Sequence, residues 1–226
     1  MRIGIFGGTF DPVHVGHLVV ATTVHHALAL DETHVVVAAD PWQKDPPPIA
    51  PAAERFAAVQ ACVRDMEVPG ITADAREVSR GGPTYTIDTV EEILALDPSS
   101  ELFLIVGYDA ARHLGAWQRV EDLRALVTLV VVNRPRFDEV VDVPGWKVEV
   151  VDIPSIDVSS SMVRVRLASG LPVDGLVPAA YTPNLALIDN MPPRRHETAA
   201  PAREQRRQLV VGVGVAVGQP AAVDDQ

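Results

Sequence analysis

The chain has 226 residues, 47% of them hydrophobic, and a formal net charge of −11. That length suits one globular domain with a short appendage, and the acidity excludes the broad basic surface of a non-specific nucleic-acid binder. A single cysteine, Cys62, excludes an internal disulfide and a cysteine-cluster metal site. No apolar run reaches the ~18 residues needed to span a bilayer, and no secretory signal pattern opens the chain, so the expectation is a cytoplasmic protein without a membrane partner. A small anion remains a candidate ligand, provided that a few Arg, Lys and His side chains are focused on it.

Met1-Arg2-Ile3-Gly4-Ile5-Phe6 reads as a short buried strand that runs into Gly7-Gly8-Thr9-Phe10-Asp11-Pro12-Val13-His14-Val15-Gly16-His17, after which Leu18–Ala21 opens an apolar helix. A strand, a glycine turn and a helix N-terminus form a phosphate cradle, because glycines let the backbone approach an anion and the helix end supplies free N–H groups. His14 and His17 lie three residues apart, which puts both imidazoles on one face of a first helical turn.

Further along, His34–Ala38 reads as a second strand, Asp40–Pro51 as a proline-rich loop, and Ala52–Asp65 as an amphipathic helix. Ile71–Val78 is expected to be another strand and Thr86–Leu96 a helix with Ile87, Val90, Ile93 and Leu94 on one face. Leu102–Val106, Val127–Asn133 and Val148–Ile153 read as strands, and Ser159–Ala168 as a helix whose hydroxyl residues suit an N-cap. The sum is an α/β, Rossmann-like fold: a mostly parallel sheet of five or six strands with helices on both faces. Residues 1–189 form the domain, and 190–226 change to a Pro/Ala/Arg/Gln-rich tail, expected to be disordered, with a valine–glycine stretch at Leu209–Gly218.

Sheets of this kind bind ligands beyond the carboxyl ends of the strands, where the strand order reverses. Gly7–His17, Trp42–Lys44, Gly107–Asp109 and Arg134 each follow a predicted strand and therefore converge on one place. His25, His26, His34 and His113 belong to no motif and are expected at the surface.

The string Gly-Gly-Thr-Phe-Asp-Pro-x-His-x-Gly-His at Gly7–His17 resembles the signature of the nucleotidyltransferase superfamily, in the form found in bacterial nicotinate-nucleotide adenylyltransferases. Three further segments resemble that family in the same order: Tyr85-Thr86-Ile87-Asp88-Thr89, Gly107-Tyr108-Asp109 with Trp117, and Val158-Ser159-Ser160-Ser161-Met162-Val163-Arg164, where Ser161 stands for the usual threonine. The resemblance spans roughly residues 1–185; Tyr181-Thr182-Pro183 interrupts the family's last helix.

It implies adenylyl transfer from ATP to nicotinate mononucleotide, giving deamido-NAD and pyrophosphate, with Mg²⁺ riding on ATP and no protein metal site. His14, His17, Lys44 and Arg164 are implied as catalytic. Gly7, Gly8, Thr9, Phe10, His17, Gly107, Asp109, Arg134, Ser159, Ser160, Ser161 and Arg164 would hold ATP. Asp11, Lys44, Arg55, Thr84, Tyr85 and Trp117 would hold the second substrate, Trp117 by stacking on its pyridine ring or else by anchoring the core. Arg55 either reaches phosphate or sits on a solvated face. Nicotinamide mononucleotide and phosphopantetheine stay open as acceptors, as do a non-catalytic nucleotide-binding regulator and a homo-oligomer.

Overall fold

Six strands pair in the order β3-β2-β1-β4-β5-β6, every pair parallel, in a computed structural model that describes residues 1–41, 47–133 and 143–181. The strands are β1 (Arg2–Gly8), β2 (Glu32–Val37), β3 (Ile71–Asp74), β4 (Glu101–Gly107), β5 (Val127–Asn133) and β6 (Val148–Asp152). The helices are α1 (Val15–Ala27), α2 (Ala52–Asp65), α3 (Arg76–Arg80), α4 (Thr86–Leu96), α5 (Tyr108–Ala111), α6 (Val120–Leu126) and α7 (Ser160–Ala168), with a 3₁₀ turn at Leu114–Ala116. Every described residue belongs to one unit, Met1–Met191. The tail from 190 onward, Lys44 and Arg134 lie outside the described residues.

Alternation along the strands builds two cores, one on each face of the sheet, because successive side chains of a strand point to opposite faces. Phe6, Val35, Val37, Phe103, Ile105, Val130 and Val132 pack with Val24 of α1, Val59 and Cys62 of α2 and Val163 of α7. Ile5, Val36, Leu104, Val106, Leu129 and Val131 pack on the other face with Ile87, Val90 and Ile93 of α4 and Leu123 of α6. Such strands, buried on both faces, read as continuous apolar runs. Crossovers from β1 run outward through β2 to β3, and those from β4 run the opposite way through β5 to β6. The reversal therefore falls between β1 and β4, whose carboxyl ends carry Gly7–Gly8 and Gly107. Among the described residues no helix is long and apolar enough to cross a membrane.

Two expectations need correction. The strand expected over Ile71–Val78 stops at Asp74, whose Oδ1 accepts the Arg76 backbone N–H at 2.8 Å and whose Oδ2 accepts Arg76 Nε at 2.7 Å. A short acidic side chain that takes the amide two residues on turns the chain, and α3 starts there. The second concerns the histidines. His25 is buried, sharing a 3.0 Å hydrogen bond with Thr33 Oγ1, and burial followed by the nearby His26 lowers its pKa. His34 is half-buried between Glu32 and Asp74, whereas His26 and His113 are exposed as expected.

Candidate active site

The switch point opens into a cavity of about 370 Å³. Gly7, Gly8, Thr9, Phe10 and His17 form one side, Gly107 and Trp117 another, and Thr84, Tyr85 and Ser160 complete the lining contributed by predicted site residues. Asp11, His14, Arg55, Asp109, Ser159, Ser161 and Arg164 stand outside that lining.

The glycine turn is shaped by its neighbours. A Cβ on Gly8 would stand 2.8 Å from the Phe10 ring, so the second position must be glycine while Phe10 is packed where it is. A Cβ on Gly7 would meet nothing within 4 Å, which marks the first glycine as the one facing open cavity. Phe10, itself at φ 50°, lies edge-on to Phe6 at 5.7 Å and to His17 at 4.8 Å.

His14 is the N-cap of α1 and His17 sits three residues later, their rings stacked with centroids 3.6 Å apart. The His14 backbone N–H donates to His17 Nδ1 at 3.1 Å. In a neutral imidazole that fixes Nε2 as the nitrogen that carries hydrogen. His17 is thus presented to the cavity as a donor, while His14 is only 5% exposed and supports it from behind. Gly16 permits this stack, since a Cβ there would stand 3.1 Å from His14 Nδ1 and from Val158 Cγ1.

The start of α7 is fastened to the same turn. Ser159 caps it by accepting the Met162 N–H at 3.2 Å, as its composition predicted, and Ser160 Oγ donates to the Pro12 carbonyl at 2.9 Å. Arg164 donates to the Asp11 carbonyl and, at 3.2 Å, to Ser161 Oγ. The Leu176-Val177-Pro178 turn follows, with the Leu176 carbonyl accepting the Val15 N–H at 3.0 Å. These bonds hold two helix N-termini, α1 and α7, against one glycine turn.

Arg55 and Asp11 take unexpected places. Arg55 is 3% exposed and donates to three carbonyls: Ala50 at 3.0 Å, Thr9 at 2.6 Å and Ala39 at 3.0 Å. It is neither on a solvated face nor aimed at the cavity; it ties the glycine turn to the end of β2 and the entry of α2. Asp11 accepts the Ile49 N–H at 2.8 Å and the Ala50 N–H at 3.3 Å, fastening the same junction. Asp109 is exposed, and its carbonyl accepts His113 Nδ1 at 2.8 Å.

Opposite the glycines, Thr84 pairs with the Asp40 carbonyl through both Oγ1 (2.9 Å) and backbone N–H (3.2 Å), which fixes the Gly81–Tyr85 loop. Trp117 packs against the α4 core, as its anchoring reading expects, and also lines the cavity; its buried indole N–H has no hydrogen-bond partner among the described residues. Sequence reasoning missed Glu77 and Gln118, which line the same cavity, as do Thr86 and Thr89 of the Tyr85–Thr89 segment. Among the described residues there is no cluster of three or more His, Cys, Asp or Glu that could hold a metal ion.

A parallel α/β sheet with a glycine turn and two helix N-termini at its switch point defines a nucleotide-binding protein of the doubly wound class. Residues 5–166 match the cytidylyltransferase-like family. A Saccharopolyspora erythraea protein named "Probable nicotinate-nucleotide adenylyltransferase" is 38% identical over 178 residues, covering 78% of this chain and 83% of its own. One of the same name from Thermus thermophilus is 41% identical over 180 residues, covering 80% and 94%. The chain belongs to the nicotinate-nucleotide adenylyltransferases of the cytidylyltransferase-like family. Its fold is also that of the Plasmodium falciparum nicotinic acid mononucleotide adenylyltransferase solved with NaAD, with a TM-score of 0.69 at 19% identity over 83% of this chain and 97% of that one.

Proposed function

We propose that this protein transfers the adenylyl group of ATP to nicotinate mononucleotide, forming deamido-NAD and pyrophosphate, a step of NAD biosynthesis. The observation that carries this reading is the stacked His14–His17 pair at the glycine turn, with His17 on the cavity wall, in a chain 38–41% identical to relatives named for that activity.

The acceptor's 5′-phosphate attacks the α-phosphorus of ATP; the new P–O bond forms as the bond to the β-phosphate oxygen breaks, and pyrophosphate leaves with those electrons. The nucleophile is already an anion, so no general base is required. Catalysis comes from holding two anions in line and from stabilising the charge that develops in the transition state. The Gly7–Phe10 backbone and His17 Nε2–H are the donors that this wall offers. Ser160 extends the same wall from α7. Lys44 and Arg134, outside the described residues, and Arg164 are the cations we assign to the ATP phosphates and adenine side. Among the described residues the lining offers a single carboxyl, Glu77, and no oxygen cage, which suits Mg²⁺ entering as part of the Mg·ATP substrate. Trp117, Thr84 and Tyr85 supply the aromatic and hydroxyl surface that a pyridine ring requires.

Incubation with ATP labelled in adenine tests the reading. The label is expected in a dinucleotide of the mass of deamido-NAD; a label that stays in ATP, or appears only as ADP or AMP, overturns it.

A further inference from the structure

Glu77 is a cavity-wall residue that no motif accounts for, and the one carboxyl of the lining among the described residues. It lies on the short helix α3, is only 7% exposed, and stands in a cavity whose proposed ligands are all anions. Its hydrogen bonding is directional. Arg80 Nη2 donates to Thr89 Oγ1 at 3.2 Å, and Thr89 Oγ1 donates to Glu77 Oε1 at 2.7 Å. Oε1 is therefore engaged as an acceptor, and an acid proton on this carboxyl sits on Oε2. Thr89 lies one turn from Tyr85 and Thr86 on the first part of α4, and all of these residues line the cavity with Glu77.

We propose that Glu77 is a specificity-determining residue that reads the substituent of the acceptor's pyridine ring. With hydrogen on Oε2 it donates to a ring carboxylate; without it, it accepts from a ring carboxamide and repels the acid. This rests on the reading above that the ring lies against Trp117 and Thr84–Tyr85.

The surroundings favour the protonated form at higher pH than for an ordinary glutamate. Burial raises the Glu77 pKa first; the Thr89 hydrogen bond and the Arg80 charge oppose it, and the charges of Asp74 and Glu92 add to the rise. Other charged groups on the packed elements include Arg76 on α3, Asp88 and Glu91 on α4, Arg64 and Asp65 on α2, and on β2 Glu32 and His34, the latter paired with Asp74. As this carboxyl ionises, the preference for the acid acceptor weakens and the amide gains relative to it. Both acceptors carry the same 5′-phosphate, with a second ionisation near pH ~6, so that titration cancels in their ratio.

The test is the ratio of kcat/KM for nicotinate mononucleotide to that for nicotinamide mononucleotide from about pH 5 to about pH 9. Where the amide turns over too slowly, its inhibition constant against the acid replaces its kcat/KM. The wild-type ratio is expected to fall at least about tenfold as pH rises through the Glu77 pKa. Glu77→Gln, which donates and accepts at every pH, should give a flat ratio. Thr89→Val keeps the carboxyl but removes a bond to its charged form, and should move the fall to higher pH; it serves as the test if the Gln variant does not fold. A flat wild-type ratio overturns the proposal. So does a Gln variant that loses kcat/KM equally with both acceptors while the pH curve of the ratio persists. Silence of the wild type with both acceptors refutes the proposed function itself, whereas turnover with a flat ratio refutes only the role of Glu77.

Discussion

Replacing Arg55 by methionine keeps an unbranched apolar stem in α2 and removes the guanidinium. Three carbonyls from three segments, Thr9, Ala39 and Ala50, then lose their donor in a place that is 3% exposed at Arg55. A buried polar group left without a partner costs about 1–3 kcal/mol, so three of them approach about 6 kcal/mol at mid-range. Removing a charge that had to be desolvated offsets several kcal/mol of this. The expected net loss is about 3 kcal/mol, which for a domain of this size lowers Tm by about 6–12 °C. Urea unfolding followed by tryptophan fluorescence measures it as a shift in midpoint at unchanged slope. Activity should fall mainly in kcat, because Thr9 adjoins Phe10 and the Phe10 ring packs edge-on against His17. Lysine at position 55 should recover only part of the stability, since an ammonium cannot span three carbonyls as a planar fork does. The reasoning fails if Arg55→Met unfolds within about 0.5 kcal/mol of wild type while the KM for either nucleotide rises, the pattern of a side chain that binds phosphate instead.

His17→Ala should lower kcat at least about tenfold with little change in KM for ATP, because the lost donor serves the developing charge; steady-state kinetics with kcat intact would remove His17 from that role. The two glycines separate packing from binding. Gly8→Ala forces a Cβ to 2.8 Å from a Phe10 ring already held by Phe6 and His17, and should destabilise by about 1–3 kcal/mol. Gly7→Ala meets nothing within 4 Å, so thermal melting should be unchanged while KM for ATP rises, because its Cβ stands in the cavity. A further pair concerns pH. Burial alone would depress the His34 imidazole, but hydrogen bonds to Asp74 and Glu32 outweigh it and leave its pKa raised. Stability from this group is fully present below the unfolded pKa of about 6.5 and is lost as pH rises through the folded value. Wild type should therefore lose stability relative to His34→Gln between about pH 6 and about pH 8.5; parallel urea midpoints for the two proteins over that range would contradict the linkage.

How much could be read beforehand depended on element length. Helices α2 and α4 and strand β5 were legible to the residue, since each shows two or more full periods of its pattern. Helices α3 and α5, of five and four residues, are too short for a helical period to show against the strand-like run before them. The strand pattern therefore runs on past Asp74 into α3, and Glu77 carries no periodic signal of its own. Arg55 did carry a signal: with Ala58, Val59, Cys62 and Val63 it completes a stripe at i, i+3, i+4, i+7 and i+8, which places it on the buried face. A charged residue on such a stripe must be paired or hydrogen-bonded, and here three carbonyls receive it. The glycine turn and His17 were legible because motif and context agreed; that His14 stands behind His17 follows from its place as N-cap, which only the start of α1 at Val15 reveals.

Initial rates of pyrophosphate release from Mg·ATP, with nicotinate mononucleotide, nicotinamide mononucleotide and phosphopantetheine offered separately, test the central claim most directly. The account predicts release that depends on an acceptor and is fastest with nicotinate mononucleotide near neutral pH. Release driven by phosphopantetheine alone, or none with any acceptor despite measurable ATP binding, would contradict it.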